Sequence, residues 1–153
     1  MYLKKIKIWN FRCFGSKSND DPGIEVDFDP KLNLLIGPND SGKTAIVDAI
    51  RYVLGTQTFD FVRLDDEDFH EESGDRATEL KIESIFSGFD DTEAGQFLEW
   101  ININKEDTKK SELKIWLTAQ RKNNRIITRL RAGFDDEGQY IDGEARDLLY
   151  VLT

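Results

Sequence analysis

The 153-residue chain is poor in the residues that metal and redox chemistry use: it has one cysteine, Cys13, and one histidine, His70. A lone cysteine can form no intrachain disulfide and makes a poor metal site, and a lone histidine argues against histidine-based zinc sites. Positive charge is short as well, with 21 lysines and arginines against 30 aspartates and glutamates, a formal net charge of −9. That balance opposes non-specific nucleic-acid binding by the chain as a whole, although a local basic patch can still provide it. No apolar run approaches the length of a membrane span, so no membrane partner is expected. The opening MYLKKIKIWNF lacks the continuous apolar core of a secretion signal, which points to a cytoplasmic setting. Repeats and low-complexity tracts are missing too. What remains, 39% hydrophobic and 33% charged residues over a length that suits one domain, describes a globular protein.

Hydrophobic period divides the chain. Ile6 and Ile8 alternate with Lys5 and Lys7, and Ile24, Val26 and Phe28 alternate with Glu25 and Asp27, giving two strands. Leu32 to Ile36 is nearly all apolar, as in a strand buried on both faces. From Thr44 the period becomes helical, with Ile46, Ala49, Ile50 and Val53 as the stripe and Gly55 placed to end it. An acidic, irregular segment follows from Thr58 to Asp75, then a strand through Leu80, Ile82 and Phe86. Asp90 and Glu93 have capping-box spacing ahead of a helical stripe of Ala94, Phe97, Leu98 and Ile101. After a polar loop, Leu113, Ile115, Leu117 and Ala119 alternate as a strand, Lys122-Asn123-Asn124 turns, and Arg125 to Leu130 returns as its hairpin partner. A last helix is expected, capped by Asp142, with Ala145, Leu148, Leu149 and Leu152 as its stripe. The expected class is α/β, α+β-like in arrangement and a single domain. A strand–loop–helix core spans about residues 1–56 and an antiparallel β/α part about 77–153. The strand–loop–helix unit is not repeated, which excludes a complete doubly wound sheet.

The loop between buried strand and helix carries the chemistry. Gly37-Pro38-Asn39-Asp40-Ser41-Gly42-Lys43-Thr44 fits G-x-x-x-x-G-K-[ST] at every fixed position and runs on into Ala45. Phosphate oxygens need several donors converging on a small volume. Successive backbone N–H groups of a tight loop supply them, and the two glycines permit the curvature and close approach. The helix N-terminus favours an anion. Lys43 would reach the β- and γ-phosphates, and the Thr44 hydroxyl would hold Mg²⁺, which takes few protein ligands. ATP with Mg²⁺ is the expected ligand. A second signal, Asn104-Lys105-Glu106-Asp107, fits the N-K-x-D guanine-reading motif of GTPases. The stretch before it reads as a helix rather than a strand, and no Asp-x-x-Gly switch intervenes.

Lys5 to Gly15, KIKIWNFRCFG, followed by NLLIGPNDSGKT, resembles the N-terminal part of the ABC-type ATPase heads of the chromosome-maintenance and recombination-repair superfamily. There an I-x-N-F-R-x-F strand precedes the phosphate loop, and Asn39 sits at that loop's asparagine. LDDEDFH at 64–70, the strand ELKIESIF and the final ARDLLYVLT resemble the OLD family of ATP-dependent endonucleases. That resemblance implies an N-terminal ATPase lobe of a larger bacterial or phage protein, used in DNA repair or phage defence. Its partners would be a C-terminal ATPase lobe, a Toprim nuclease domain, a second copy joined through the head, and DNA. It also implies that Arg12 lies close to the nucleotide; the plainer reading is a solvated arginine at a strand end.

An ABC-type head needs a Walker B strand ending in Asp-Glu and a signature loop from a second subunit. Neither is legible. Phe134-Asp135-Asp136-Glu137 and Leu64-Asp65-Asp66 have acids without the apolar run before them, and no L-S-G-G-x occurs. Asp66 and Asp68 have the spacing of a Toprim Asp-x-Asp but sit in an acidic run that reads as a solvated face or a helix start. Gln57, Gln96, Gln120 and Gln139 are all open as the Q-loop glutamine. Arg121, Lys122, Arg125, Arg129 and Arg131 form a basic hairpin in which Arg125, Arg129 and Arg131 share a strand face able to hold DNA phosphates; the alternative is an ordinary solvated face.

Overall fold

The computed structural model describes residues 1–55, 63–133, 138–141 and 147. Strand alternation builds one six-stranded antiparallel sheet. In chain order its members are β1 (Tyr2–Trp9), β2 (Ile24–Asp27), β5 (Glu79–Ser87), β6 (Leu113–Lys122), β7 (Arg125–Gly133) and β8 (Gln139–Tyr140). Across the sheet the order is β2-β1-β5-β6-β7-β8. A separate small hairpin pairs β3 (Glu71–Glu72) with β4 (Asp75–Arg76). The β6–β7 hairpin closes through Asn123 and Asn124, both at positive φ (49° and 60°), a two-residue turn with the twist that hairpins favour.

Residues directly opposite in antiparallel strands share a face. Registers such as Ile8↔Ile82↔Leu117↔Leu130 put Ile6, Ile82, Phe86, Ile115, Leu117 and Ala119 on one face, where helix α1 (Lys43–Leu54) lies against β5 and β6. Ile46, Ala49 and Val53 of α1 close that core. Gly55 ends the helix in the left-handed region at φ 65°. A second helix, α2 (Asp91–Gln96), begins with the expected Asp90/Glu93 capping box. It stops earlier than its stripe suggested. Phe97 and Ile101 are buried in the turns beyond it, and Leu98, expected in the stripe, points outward at 61% exposure.

One expectation fails. Leu32 to Ile36 forms no strand, and Leu32, Leu34 and Ile36 are 84%, 77% and 83% exposed; Leu35 alone packs on the core. A continuously apolar strand is buried by neighbours along both edges and layers on both faces. Among the described residues this segment has a layer on one side only. The expected last helix, with Asp142, Ala145, Leu148, Leu149 and Leu152, falls outside the described residues, as do Gln57 and Phe134 to Glu137.

Candidate nucleotide site

The Gly37–Thr44 loop runs into α1 through Gly42, whose φ of 87° admits glycine far more readily than any other residue. A Cβ there would lie 2.4 Å from Phe14 Cζ and 2.8 Å from Cys13 Sγ, so the glycine is also required by close packing. A Cβ on Gly37 would lie 2.9 Å from Ser41 Oγ. Asp40 takes positive φ, 62°, at the tip. Lys43 Nζ donates to the carbonyls of Gly37 (2.8 Å) and Pro38 and to Ser41 Oγ at 3.3 Å, which places the ammonium over the loop. Thr44 and the 38–41 tip are exposed, while Ala45 is buried and anchors the first turn.

Helix α2 caps its own first turn with two carboxylates, but α1 has neither a side-chain cap nor an acid there. Its leading N–H groups and dipole are therefore available to an anion. A nucleoside triphosphate with Mg²⁺ fits this donor set: backbone N–H groups and one lysine for phosphate oxygens, one threonine hydroxyl for a cation that keeps most of its waters. Among the described residues no group of three or more His, Cys, Asp or Glu is arranged to hold a metal by itself.

Arg12 follows β1 and sits at positive φ, 47°. Its guanidinium spans two carboxylates, Nη1 to Asp48 Oδ2 at 2.6 Å and Nε to Asp68 Oδ1 at 2.8 Å. Asp48 lies one turn along α1 from Thr44, so Arg12 stands beside the phosphate loop's helix rather than in free solvent. Burial works against its charge, and the hydrogen bonds to Asp48 and Asp68 more than offset that, leaving its pKa raised. The plainer reading, a solvated strand-end arginine, is corrected by these contacts.

The carboxylate pair was missed in the sequence. Asp68, read as part of a solvated run or a helix start, does end a short 3₁₀ turn at Asp66–Asp68 but is 3% exposed. Its second oxygen accepts from the Tyr52 hydroxyl at 2.9 Å and the Asp65 N–H at 3.0 Å. Asp66 stays on the surface, so the two do not form a Toprim-like pair. No local pattern marked it: Asp68 stands in a charged run, and only the structure shows that it turns inward beside the buried Phe69.

The N-K-x-D signal is spent locally. Asn104 Oδ1 accepts from the N–H groups of Glu106 (3.0 Å) and Asp107 (3.1 Å), and Asp107 caps the 3₁₀ turn Thr108–Lys110. That loop, with Lys105 at its tip, hydrogen-bonds to Ser87 and Gly88 at one end of β5, whereas Arg12 to Phe14 follow Trp9, which pairs with Lys81 at the other. Six strand residues separate the two ends, roughly 20 Å. The guanine-reading arrangement is not formed around the phosphate loop.

The basic hairpin divides. Arg125, Arg129 and Arg131 share the outer sheet face with Lys122, as the register Lys122↔Arg125, Thr118↔Arg129, Trp116↔Arg131 requires. Arg121 pairs with Ile126 on the opposite side, bonds Asp66 Oδ1 at 2.7 Å and stacks on Phe69, so it leaves the patch. Strand pairing adds Lys5, Lys7, Lys81 and Lys114 to the outer face. Its acids are largely engaged: Glu25 and Asp27 with Lys5, Glu83 with Lys7 and Trp116 Nε1, Glu79 with Gln120.

A mixed α/β lobe with a G-x-x-x-x-G-K-T loop, an uncapped helix behind it and an antiparallel sheet has the parts of a nucleotide-binding domain. The AAA ATPase domain family model matches residues 1–142, and the chain belongs to that family. Similar proteins include the chromosome partition protein Smc of Chlorobaculum tepidum, 44% identical over 57 residues (37% of this chain, 4% of that protein). Smc of Mycoplasma pneumoniae is 29% identical over 134 residues, 88% of this chain and 12% of its own length. The chain thus spans a small part of these relatives. A solved structure described as "Structural biochemistry of ATP-driven dimerization and DNA stimulated activation of SMC ATPases" shares the fold with a TM-score of 0.66 at 19% identity, covering 97% of this chain and 78% of that one. No described helix is long and apolar enough to cross a membrane.

Proposed function

We propose that this chain is the ATP-binding N-terminal lobe of an ABC-type ATPase head. In a longer protein it works with a C-terminal ATPase lobe, pairs with a second copy through the head, and couples ATP to an OLD-type Toprim endonuclease acting on DNA in DNA repair or phage defence. The observation that carries the nucleotide part is the loop itself: Gly42 where a positive φ and close packing demand glycine, Lys43 over the loop carbonyls, and α1 with no cap of its own. Lys43 holds the β- and γ-phosphates and Thr44 the Mg²⁺. The exposed Leu32, Leu34 and Ile36 fit the edge of a sheet that a second lobe extends. A cytoplasmic setting goes with this reading. No Walker B strand or signature loop is legible in the chain, so turnover by the chain alone is expected to be negligible. A second reading, an ATP-dependent dimerisation or interaction module without catalysis, is favoured by the ATP-driven dimerisation of the SMC structure.

Calorimetric titration of ATP and of GTP, each with Mg²⁺, into the chain and into Lys43→Ala tests the proposal. ATP is expected to bind, with Lys43→Ala abolishing it. A preference for GTP would overturn the ABC assignment, and steady-state hydrolysis lost in Lys43→Ala would overturn the claim of an incomplete site.

A further inference from the structure

Three consecutive residues, Arg12, Cys13 and Phe14, touch the first turns of α1. Arg12 reaches Asp48, while the Cys13 sulfur and Phe14 ring pack on Gly42. What holds this turn is a second loop. Arg12 N–H donates to the Asp68 carbonyl at 2.8 Å and His70 N–H to the Asn10 carbonyl at 2.9 Å; His70 Nδ1 lies 2.6 Å from the Arg12 carbonyl. At the centre the buried Asp68 carboxylate joins Arg12 on one side to Tyr52 of α1 on the other, and the Phe11 ring meets Tyr52 edge-on at 5.9 Å. The 12–14 turn is therefore pinned to α1 at two heights, while its far end sets the packing around Gly42, where the phosphate loop runs into the helix.

We propose that Asp68 is a positioning residue for the phosphate loop, acting through Arg12 to hold the Cys13–Phe14 turn against Gly42. This rests on the nucleotide reading above. A preformed loop binds more tightly than one that must be ordered on binding. Losing the carboxylate charge weakens one of the two anchors of the guanidinium, leaving Asp48 alone on it, and lets the 12–14 turn shift away from its packing on Gly42. Nucleotide affinity then depends on a residue with no place in the phosphate-loop motif.

Asp68→Asn keeps the side-chain shape and removes the charge. Phe97→Leu, at the end of the core where Phe97 packs on Phe89, serves as a stability control. Mg-ATP affinity is expected to fall about ten-fold in Asp68→Asn, the size of loss seen when a residue that orients a ligating group is removed. Phe97→Leu lowers the thermal midpoint and leaves affinity unchanged. In an Arg12→Gln background Asp68→Asn adds less than about two-fold, because residues acting as a unit are not additive. Cys13, the only cysteine, is exposed and supplies a readout without nucleotide. Its reaction with Ellman's reagent is expected to quicken several-fold in Asp68→Asn and stay unchanged in Phe97→Leu. Wild-type affinity in Asp68→Asn, or losses that add with Arg12→Gln, would overturn the proposal. If the wild-type chain takes up no Mg-ATP, the nucleotide reading fails by itself, and an unchanged Cys13 rate in Asp68→Asn overturns the positioning role independently.

Discussion

At the scale of the residue, two tyrosines have opposite tendencies, one in the clamp around Arg12 and one beside Arg131. Burial, then the hydrogen bond to Asp68, push the Tyr52 phenol up to about 12. The hydrogen bond from Arg131 and that cation's charge pull the exposed Tyr140 below the ordinary value. Ionisation followed by ultraviolet absorbance is expected to show Tyr140 titrating before Tyr52, with Tyr52→Phe removing the step near 12. The sign for stability follows. A group whose folded pKa is raised contributes fully below its unfolded value, near 10, and that contribution fades as pH rises toward 12. Wild type therefore loses stability over this window and Tyr52→Phe loses less, as urea midpoints at pH 9 and 11.5 would show. The clamp was not legible in the sequence for a plain reason. Arg12 and Asp68 stand 56 residues apart, and an acid inside Asp65-Asp66-Glu67-Asp68 shows no pattern that separates it from solvated neighbours. Charge runs predict exposure on average and cannot single out the one carboxylate that turns inward.

At the scale of the element, legibility tracked how local the cause was. The α1 stripe, the Gly55 stop and the β6–β7 hairpin all arise from contacts a few residues apart, and each formed where its spacing placed it. The same holds for the Asp90/Glu93 box, where each carboxylate satisfies an N–H of the other's backbone at 2.8 and 3.0 Å. Glu93 also pairs with the N-terminal ammonium at 2.8 Å, tying α2 to the start of β1. Asp90→Ala is expected to cost about 1 kcal/mol, read as a lower urea midpoint with an unchanged slope. A larger loss would mean that Glu93 releases the N-terminus as well. Leu32 to Ile36 is the counterexample. Its apolar run describes an environment that must be supplied by neighbours distant in sequence or on another polypeptide, so the pattern alone could not say whether a strand forms. The early end of α2 has a related cause: Phe97 and Ile101 reach the core from turns as well as from a helix, leaving Leu98 on the outside.

For the whole molecule, net charge and local charge point in opposite directions. The chain carries −9, yet its outer sheet face gathers Lys114, Lys122, Arg125 and Arg129 with no acidic partner among the described residues, while the face's acids are engaged with Lys5, Lys7, Trp116 and Gln120. Strand geometry sets Arg125 and Arg129 about 13 Å apart on one line, with Lys122 and Lys114 on the neighbouring strand. Such a row suits a polyanion that runs straight, and duplex DNA is the polyanion that the proposed function supplies. Each phosphate neutralised contributes about −0.9 to the slope of log affinity against log salt. Arg129→Ala is expected to reduce that slope by about 1 and to weaken binding alike for unrelated sequences. Arg121→Ala leaves the slope unchanged, because Arg121 faces the other side and is held by Asp66 and Phe69. A titration of fluorescent duplex DNA from 50 to 200 mM salt separates the cases. If Arg121→Ala flattens the slope and Arg129→Ala does not, the nucleic-acid surface lies elsewhere and the outer face is ordinary solvated charge. No binding even at the lowest salt would remove the sheet face from the DNA partnership altogether.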